Sequence, residues 1–330
     1  MKILLVYYTG TFNTRFLSNR IADMLREEGD EVDLHEIDPS KKYRIDFSPY
    51  ELVGFGYPIY GFAAPRPFLR FVRHQKFPKN LKGFIYKKSG ETYHDNDASS
   101  MFVLRRLRRR KVDIRNEYHF GMPYNIHFRY ADDFVKEQLV YADKLARIMI
   151  YELKHGIQNM SKRYPLRPRF ITWSVARLQY IAGDINSYMY RVYKDKCISC
   201  DKCIRECPMH NIYRDEKGEI RFRHHCNMCM RCSLRCPKDA IYIGFIDNWG
   251  WRVNGAYNLK KIEAMEYKPV IDENTKGFFE CYYESFSKID RRYCEIFGGE
   301  PREYHPKAKS TGMVTKLLRL LFRNKDVREQ

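Results

Sequence analysis

The sequence predicts an α/β protein, an open parallel sheet with helices on both faces, followed by a small cysteine-rich α+β domain. Three observations predict it. Across residues 1–156, continuous apolar runs alternate with helically spaced ones. Residues 191–246 hold eight of the ten cysteines. Between them, residues 157–190 are interrupted by Pro165 and Pro168 and fit neither pattern.

The elements follow in order. Residues 2–8 are an apolar run suited to a parallel strand buried on both faces. A polar loop follows, and then Phe16, Ile21, Ala22 and Leu25 recur at helical spacing. Residues 31–37 alternate as a strand, and residues 52–56 form another apolar run ending in Tyr57-Pro58. A helix is expected over 65–77, with proline near its first turn. A short strand follows at 83–86. Met101, Leu104 and Leu107 mark the next helix, and residues 112–120 the next strand. Residues 132–155 close the region as a long amphipathic helix with Phe134, Leu139, Ala142, Leu145, Ile148 and Met149 near one face. Residues 157–190, aromatic over 171–190, read as a connector packed between domains. In 247–330, an extension to which the sequence assigns no role, Tyr282, Phe286, Ile289 and Tyr293 are helically spaced.

At 330 residues the chain suits about two domains, and 44% hydrophobic residues exclude a disordered chain. No apolar run approaches the ~18 residues that span a bilayer, and the start of the chain lacks a signal-peptide pattern, so a cytoplasmic location is expected. Lys and Arg number 60 against 41 Asp and Glu, a formal charge of +19. That balance points to an acidic partner, or to cations offsetting a bound anionic cofactor, or to a plain solvated basic surface.

Cys197, Cys200, Cys203 and Cys207 follow C-x2-C-x2-C-x3-C and precede Pro208; Cys226, Cys229, Cys232 and Cys236 repeat the spacing and precede Pro237. This is the run that holds two [4Fe–4S] clusters in bacterial ferredoxins. Three thiolates wrap one cubane from a tight loop, and each fourth cysteine crosses to the other cluster. The spacing therefore assigns one cluster to Cys197, Cys200, Cys203 and Cys236, and the other to Cys226, Cys229, Cys232 and Cys207. Zinc sites usually use two separated pairs, which explains a repeated proline-terminated quartet poorly. Between the quartets, residues 211–214 and 219–222 flank a turn and read as a hairpin; residues 240–246 read as a final strand.

The loop Thr9-Gly10-Thr11-Phe12-Asn13-Thr14 lies between a buried strand and a helix start, where N–H groups and the helix dipole suit a phosphate. Hydroxyls of Thr9, Thr11 and Thr14 and the amide of Asn13 are candidate phosphate ligands; a simple helix cap reads the same way. Neither a Walker motif nor a G-x-G-x-x-G fingerprint is present. Two further loops leave the same sheet edge, one with Pro58, Tyr60 and Gly61 and one with Ser89, Gly90 and Glu91. Ligands of open parallel sheets bind outside the carboxyl ends of the strands, so three loops there suit a phosphate and a flat ring, with Tyr60 placed to stack on it.

The first half resembles flavodoxin, whose phosphate loop reads T-x-T-G-x-T: Thr9, Thr11 and Thr14 match, and Phe12 stands where the glycine falls. Residues 1–246 as a whole resemble the fused flavodoxin–ferredoxin proteins of anaerobic bacteria. The likeness rests on Lys88-Ser89-Gly90-Glu91, Asn96-Asp97-Ala98-Ser99-Ser100, Met122-Pro123-Tyr124-Asn125-Ile126 and both cysteine quartets. The resemblance implies a flavodoxin-like, FMN-binding domain at 1–156, a connector at 157–190 and a bacterial two-cluster ferredoxin domain at 191–246. It implies FMN in the first, two [4Fe–4S] clusters in the second, and electron transfer as the activity. FMN takes two electrons together or singly and a cluster passes one, so the expected function is conversion between two-electron and one-electron carriers. An FMN-dependent reductase of a small organic substrate, fed by its own clusters, is the alternative.

Two basic features remain. Six of the seven residues 105–111 are basic; the run is either a solvated helix face or a docking surface for an acidic redox partner, and no nucleic-acid partner is expected because it is embedded in the α/β fold. Residues 314–323 combine Leu317, Leu318, Leu320, Leu321 and Phe322 with Lys316, Arg319 and Arg323, a composition shared by interfacial helices and by helices docked on their own protein.

Overall fold

In the computed structural model, residues 1–302 are described, apart from 92–93, 161–163 and 254. Five strands form one parallel sheet in the order β2-β1-β3-β4-β5: β1 (Lys2–Tyr7), β2 (Glu31–Glu36), β3 (Leu52–Pro58), β4 (Lys82–Ser89) and β5 (Asp113–Gly121). This is the 2-1-3-4-5 order of doubly wound flavodoxin-like folds. Strand β1 shows why the order works. Ile3, Leu5 and Tyr7 point into one core while Leu4 and Val6 point into the other, so both faces must be covered. Helices α1 (Asn13–Glu27) and α4 (Asp132–Lys154) cover the first face; α2 (Arg66–His74) and α3 (Met101–Arg109) cover the second.

Helix α5 (Leu166–Ser187) links the sheet domain to a small unit made of β6 (Tyr190–Val192), α6 (Lys202–Arg205), β7 (Ile212–Arg214), β8 (Ile220–Phe222), α7 (Arg231–Leu234) and β9 (Ile241–Ile243). The hairpin β7–β8 turns at Gly218, whose φ is +75°, with Asp215 Oδ1 accepting the N–H groups of Lys217 and Glu219. Strand β9 pairs with β6 rather than with the hairpin, so the last residues of the connector complete the cysteine-rich unit.

Short helices α8 (Phe245–Asn248) and α9 (Leu259–Glu263) lead to α10 (Glu280–Phe297), which returns to pack along α4. Tyr141 and Phe286 stack with ring centroids 3.9 Å apart and planes 4° apart. Asp290 accepts from Tyr141 and Lys144, and Arg292 pairs with Glu152 at 3.0 Å. Glu137 on α4 is fully buried; it accepts the N–H groups of Val270 and Ile271 and pairs with Arg302 at 3.0 Å. Residues 270–302 thereby complete the first core. The run at 314–323 lies outside the described residues.

Candidate functional site

The carboxyl ends of β1, β3, β4 and β5 bring the expected loops to one edge. There a cavity of about 770 Å³ opens between the sheet domain, α5 and the cysteine-rich unit. Tyr60, Gly61, Ser89, Gly90 and Glu91 line it, as do Pro123, Tyr124 and Asn125 of the motif after β5. Pro58 does not; it closes β3, buried and paired with Lys88 across the sheet.

The phosphate-type loop, residues 9–14, does not line this cavity; it adjoins the lining residues Tyr60, Pro123, Asn125 and Cys229. Among the described residues the buried hydroxyls of Thr9 and Thr14 find no hydrogen-bond partner. The N–H groups of Thr9, Gly10, Thr11 and Phe12 also find no acceptor among the described residues. Buried polar groups are normally satisfied, so this cluster of donors fits an anionic phosphate. Thr11 and Asn13 are engaged elsewhere: Asn125 Nδ2 donates to the Thr11 hydroxyl at 2.5 Å, and Asn13 Nδ2 donates to the Pro123 carbonyl at 3.1 Å. They tie the loop to the segment after β5. Phe12, at the glycine position, keeps the left-handed backbone that a glycine would supply, with φ +71°.

Tyr60 is half-buried, and its buried hydroxyl has no partner among the described residues. The hydroxyl lies against Gly10: a Cβ there would stand 1.9 Å from it and 2.7 Å from Cys229 Cβ. Only glycine admits so close an approach between the loop and the second cysteine quartet. Gly90 is likewise covered, here by the Tyr124 ring, 1.9 Å from a Cβ built on it.

Lys88, named in the sequence only as part of a motif, is 4% exposed and faces the same cavity. Burial pulls its amine down to about 8, opposed by the nearby Glu91 carboxylate. Burial pushes Glu91 up, against hydrogen bonds from Tyr124 and Asn96. Neighbouring Lys87 points to the other side of β4, where it pairs with Glu117 at 2.7 Å. Ser89 bonds His119 Nε2 at 2.6 Å, and burial holds His119 well below its ordinary value.

The cysteines fall into two groups. Cys197, Cys200, Cys203 and Cys236 line one small hollow together with Pro237. Cys207 lies electrostatically close to Cys226, Cys229 and Cys232, on which its charge acts. Burial raises the thiols of Cys229 and Cys232, that of Cys203 to about 11 and that of Cys226 to about 12, so metal must displace protons to bind these four. Among the described residues no three His, Cys, Asp or Glu converge on a single ion. The two loops also repeat in backbone conformation 29 residues apart: Ser199 and Met228, Asp201 and Met230, and His210 and Asp239 all have positive φ. Asn211 N–H donates to Cys207 Sγ at 3.3 Å and Ala240 N–H to Cys236 Sγ at 3.2 Å, again at matching positions.

The groups differ in setting. Cys200 is exposed, whereas Cys229 is buried and lines the large cavity. Between Cys229 and Cys232 lies Arg231, a buried residue the sequence reading did not single out. Its guanidinium donates to the carbonyls of Thr9 (2.8 Å), Gly10 and Glu206 (2.8 Å).

Residues 196–241 match the 4Fe-4S dicluster domain family. Over 48 residues the chain is 35% identical to pyruvate synthase subunit PorD of Methanocaldococcus jannaschii and 46% identical to that of Methanothermobacter marburgensis. Each match covers 14% of this chain and 56% of the relative, so the chain spans about half the length of the curated relatives it matches. Among solved structures, a flavodoxin from the domain Archaea is similar at 12% identity, covering 47% of this chain and all of that one, with a TM-score of 0.30. General stress protein 14 of Treponema denticola, solved with FMN, is similar at 16% identity over 48% of this chain and all of that one, with a TM-score of 0.33. The fold assignment rests on the strand order rather than on these two likenesses. Residues 196–241 are a ferredoxin-type 4Fe–4S dicluster domain, carried behind a five-stranded flavodoxin-like sheet.

Proposed function

We propose that this is an electron-transfer iron–sulfur flavoprotein that converts between two-electron and one-electron carriers, with FMN in the large cavity and one [4Fe–4S] cluster in each cysteine group. One observation carries the reading: Cys229, a cysteine of the inner group, lines the same cavity as Tyr60, Ser89 and Gly90. A flavin ring held by those loops therefore adjoins a cluster ligand with no intervening layer of protein. Bound there, FMN exchanges electrons in pairs or singly and the clusters pass one at a time.

The chain's own residues supply position and charge. The unpartnered hydroxyls of Thr9 and Thr14 suit the phosphate. Lys88 places a cation at the ring cavity, where it favours negative charge on a bound ring. The exposed Cys200 puts the outer group at the surface, the side from which a protein partner exchanges electrons. A net charge of +19 supports an acidic redox partner, and Arg105 and Arg109 on α3 are exposed.

Anaerobic reductive titration, followed by visible and electron-paramagnetic resonance spectra, tests the reading. The expected content is about eight irons, about eight labile sulfides and one FMN per chain, each reduced in resolved steps. Bound zinc without sulfide, or a protein free of flavin after anaerobic purification, overturns it.

A second reading, an FMN-dependent reductase of a small organic substrate, is favoured by Lys88 and Glu91 facing the cavity as a proton donor and acceptor. Turnover of small organic oxidants by the reduced protein, with no protein acceptor present, separates the two.

A further inference from the structure

Helix α5 turns one face inward, with Ile171, Thr172, Ala176 and Asn186 buried. The other face is apolar as well. Leu166, Phe170, Trp173, Leu178, Ile181 and Ile185 are 47–79% exposed. At 100° per residue these six fall within an arc of about 140° along a helix roughly 33 Å long, an arc they share with Arg167, Ser174, Arg177 and Asp184. Exposed Tyr188 follows just past the helix end, and exposed Trp249 shares the cavity rim with Leu178. Soluble monomers rarely expose so many large apolar side chains on one helix face.

The polar groups on the helix say what covers it. The helix carries Arg167, Arg169 and Arg177 against one acid of its own, Asp184, and Arg167 pairs with Asp95 at 3.3 Å. Asp184 is already bound at both oxygens by Arg66, at 2.6 and 2.8 Å. Arg177 lies within the apolar arc with its guanidinium 4.4 Å from the Trp173 ring centroid, and Arg169 flanks the arc. Neither makes an ion pair among the described residues. A two-fold contact between copies would set these arginines against one another in a chain of charge +19. An anionic bilayer complements them, and tryptophan and tyrosine favour the headgroup level. No helix among the described residues is long and apolar enough to cross a membrane.

We propose that the exposed face of α5 is an interfacial docking surface for anionic lipid, seating the protein on a bilayer with the cavity rim beside it. The proposal rests on the helix alone and stands whether or not the cavity holds a flavin.

The test is flotation of the full-length, cofactor-loaded protein with vesicles of phosphatidylcholine alone or mixed with phosphatidylglycerol. Wild type is expected to float with the anionic vesicles and about tenfold less with neutral ones. Phe170→Ser combined with Ile181→Ser should reduce flotation about tenfold, with circular dichroism and visible absorption unchanged. Arg169→Gln with Arg177→Gln leaves the apolar face intact and should abolish the preference for anionic lipid, so the test survives misfolding of the serine variant. No flotation of wild type overturns the proposal. So does equal flotation of a folded serine variant, which assigns the binding elsewhere in the chain. Self-association of wild type in sedimentation velocity, lost in the serine variant, overturns it in favour of a second copy.

Discussion

The guanidinium of Arg231 stacks on the ring of Phe12 at 4.1 Å from its centroid. Arg15 and Arg235 approach the same ring at 4.5 and 4.9 Å. The left-handed residue of the phosphate-type loop is thereby held by an arginine that sits between two cluster-type cysteines. Arg231→Gln removes the stacking and the hydrogen bonds to Thr9 and Gly10. Charged hydrogen bonds are each worth about 1.5–3 kcal/mol, so FMN affinity should fall roughly tenfold to a hundredfold. Flavin fluorescence during titration of the flavin-free protein measures this. Arg231→Lys should restore little, because one ammonium cannot reproduce the fork or the stacking.

Phe12 itself gives a test of backbone strain. A non-glycine residue in this conformation costs about 1–2 kcal/mol. Phe12→Gly and Phe12→Ala both lose the ring, but only the glycine variant also loses the strain. The glycine variant should be the more stable by about 1 kcal/mol in anaerobic chemical denaturation. Equal stability would place the left-handed turn elsewhere.

Lys88 predicts a pH dependence in the flavin-free protein. Its folded value, about 8, lies below the ordinary 10.5. Between those values the unfolded chain binds more protons, so stability rises with pH across that window. Below pH 8 the penalty is fully present. Lys88→Met removes it, so the variant should exceed wild type by up to about 3 kcal/mol at pH 7. The advantage should vanish above pH 10.5. An advantage independent of pH would point to packing instead.

The grouping of cysteines predicts a cross-effect. Cys236→Ala should disturb the cluster held by Cys197, Cys200 and Cys203, with which it shares a hollow. Loss confined to the signals of the Cys226, Cys229 and Cys232 cluster would reverse the assignment.

Phe286→Ala tests the return of α10 to the sheet domain. The ring is 2% exposed and lies flat on Tyr141. Deleting a buried phenylalanine typically costs about 3–5 kcal/mol. Thermal unfolding of the first core should shift accordingly; a change limited to local fraying of α10 would show that the core closes without it.

The sheet was legible because strands buried on both faces are continuous apolar runs, as residues 2–7 and 52–58 show. The cysteine groups were legible because ligand spacing is fixed by cluster size rather than by the rest of the fold. Helix α5 read as a connector packed between domains because apolar residues all round it look like burial; spacing cannot tell an inner apolar face from an outer one. The partner of β9 escaped because strand pairing is non-local. Arg231 escaped for the same reason: it meets Thr9 222 residues away, and nothing near it in the sequence marks it among the many arginines. Lys88 hid within a motif read for its loop.

The packing of α10 on α4 has a consequence for synthesis. Tyr141 and Asp290 are 149 residues apart. Ribosomes add about 5–20 residues each second, so α4 waits roughly 7–30 s for its cover. During that time the aromatic flank of Tyr130, Phe134 and Tyr141 stands bare to water. Both cysteine loops emerge within the same interval, before the helix that closes the sheet. Iron–sulfur loading and chaperone protection of that flank therefore fall in one window on the nascent chain, and a pause in translation after residue 236 would lengthen both.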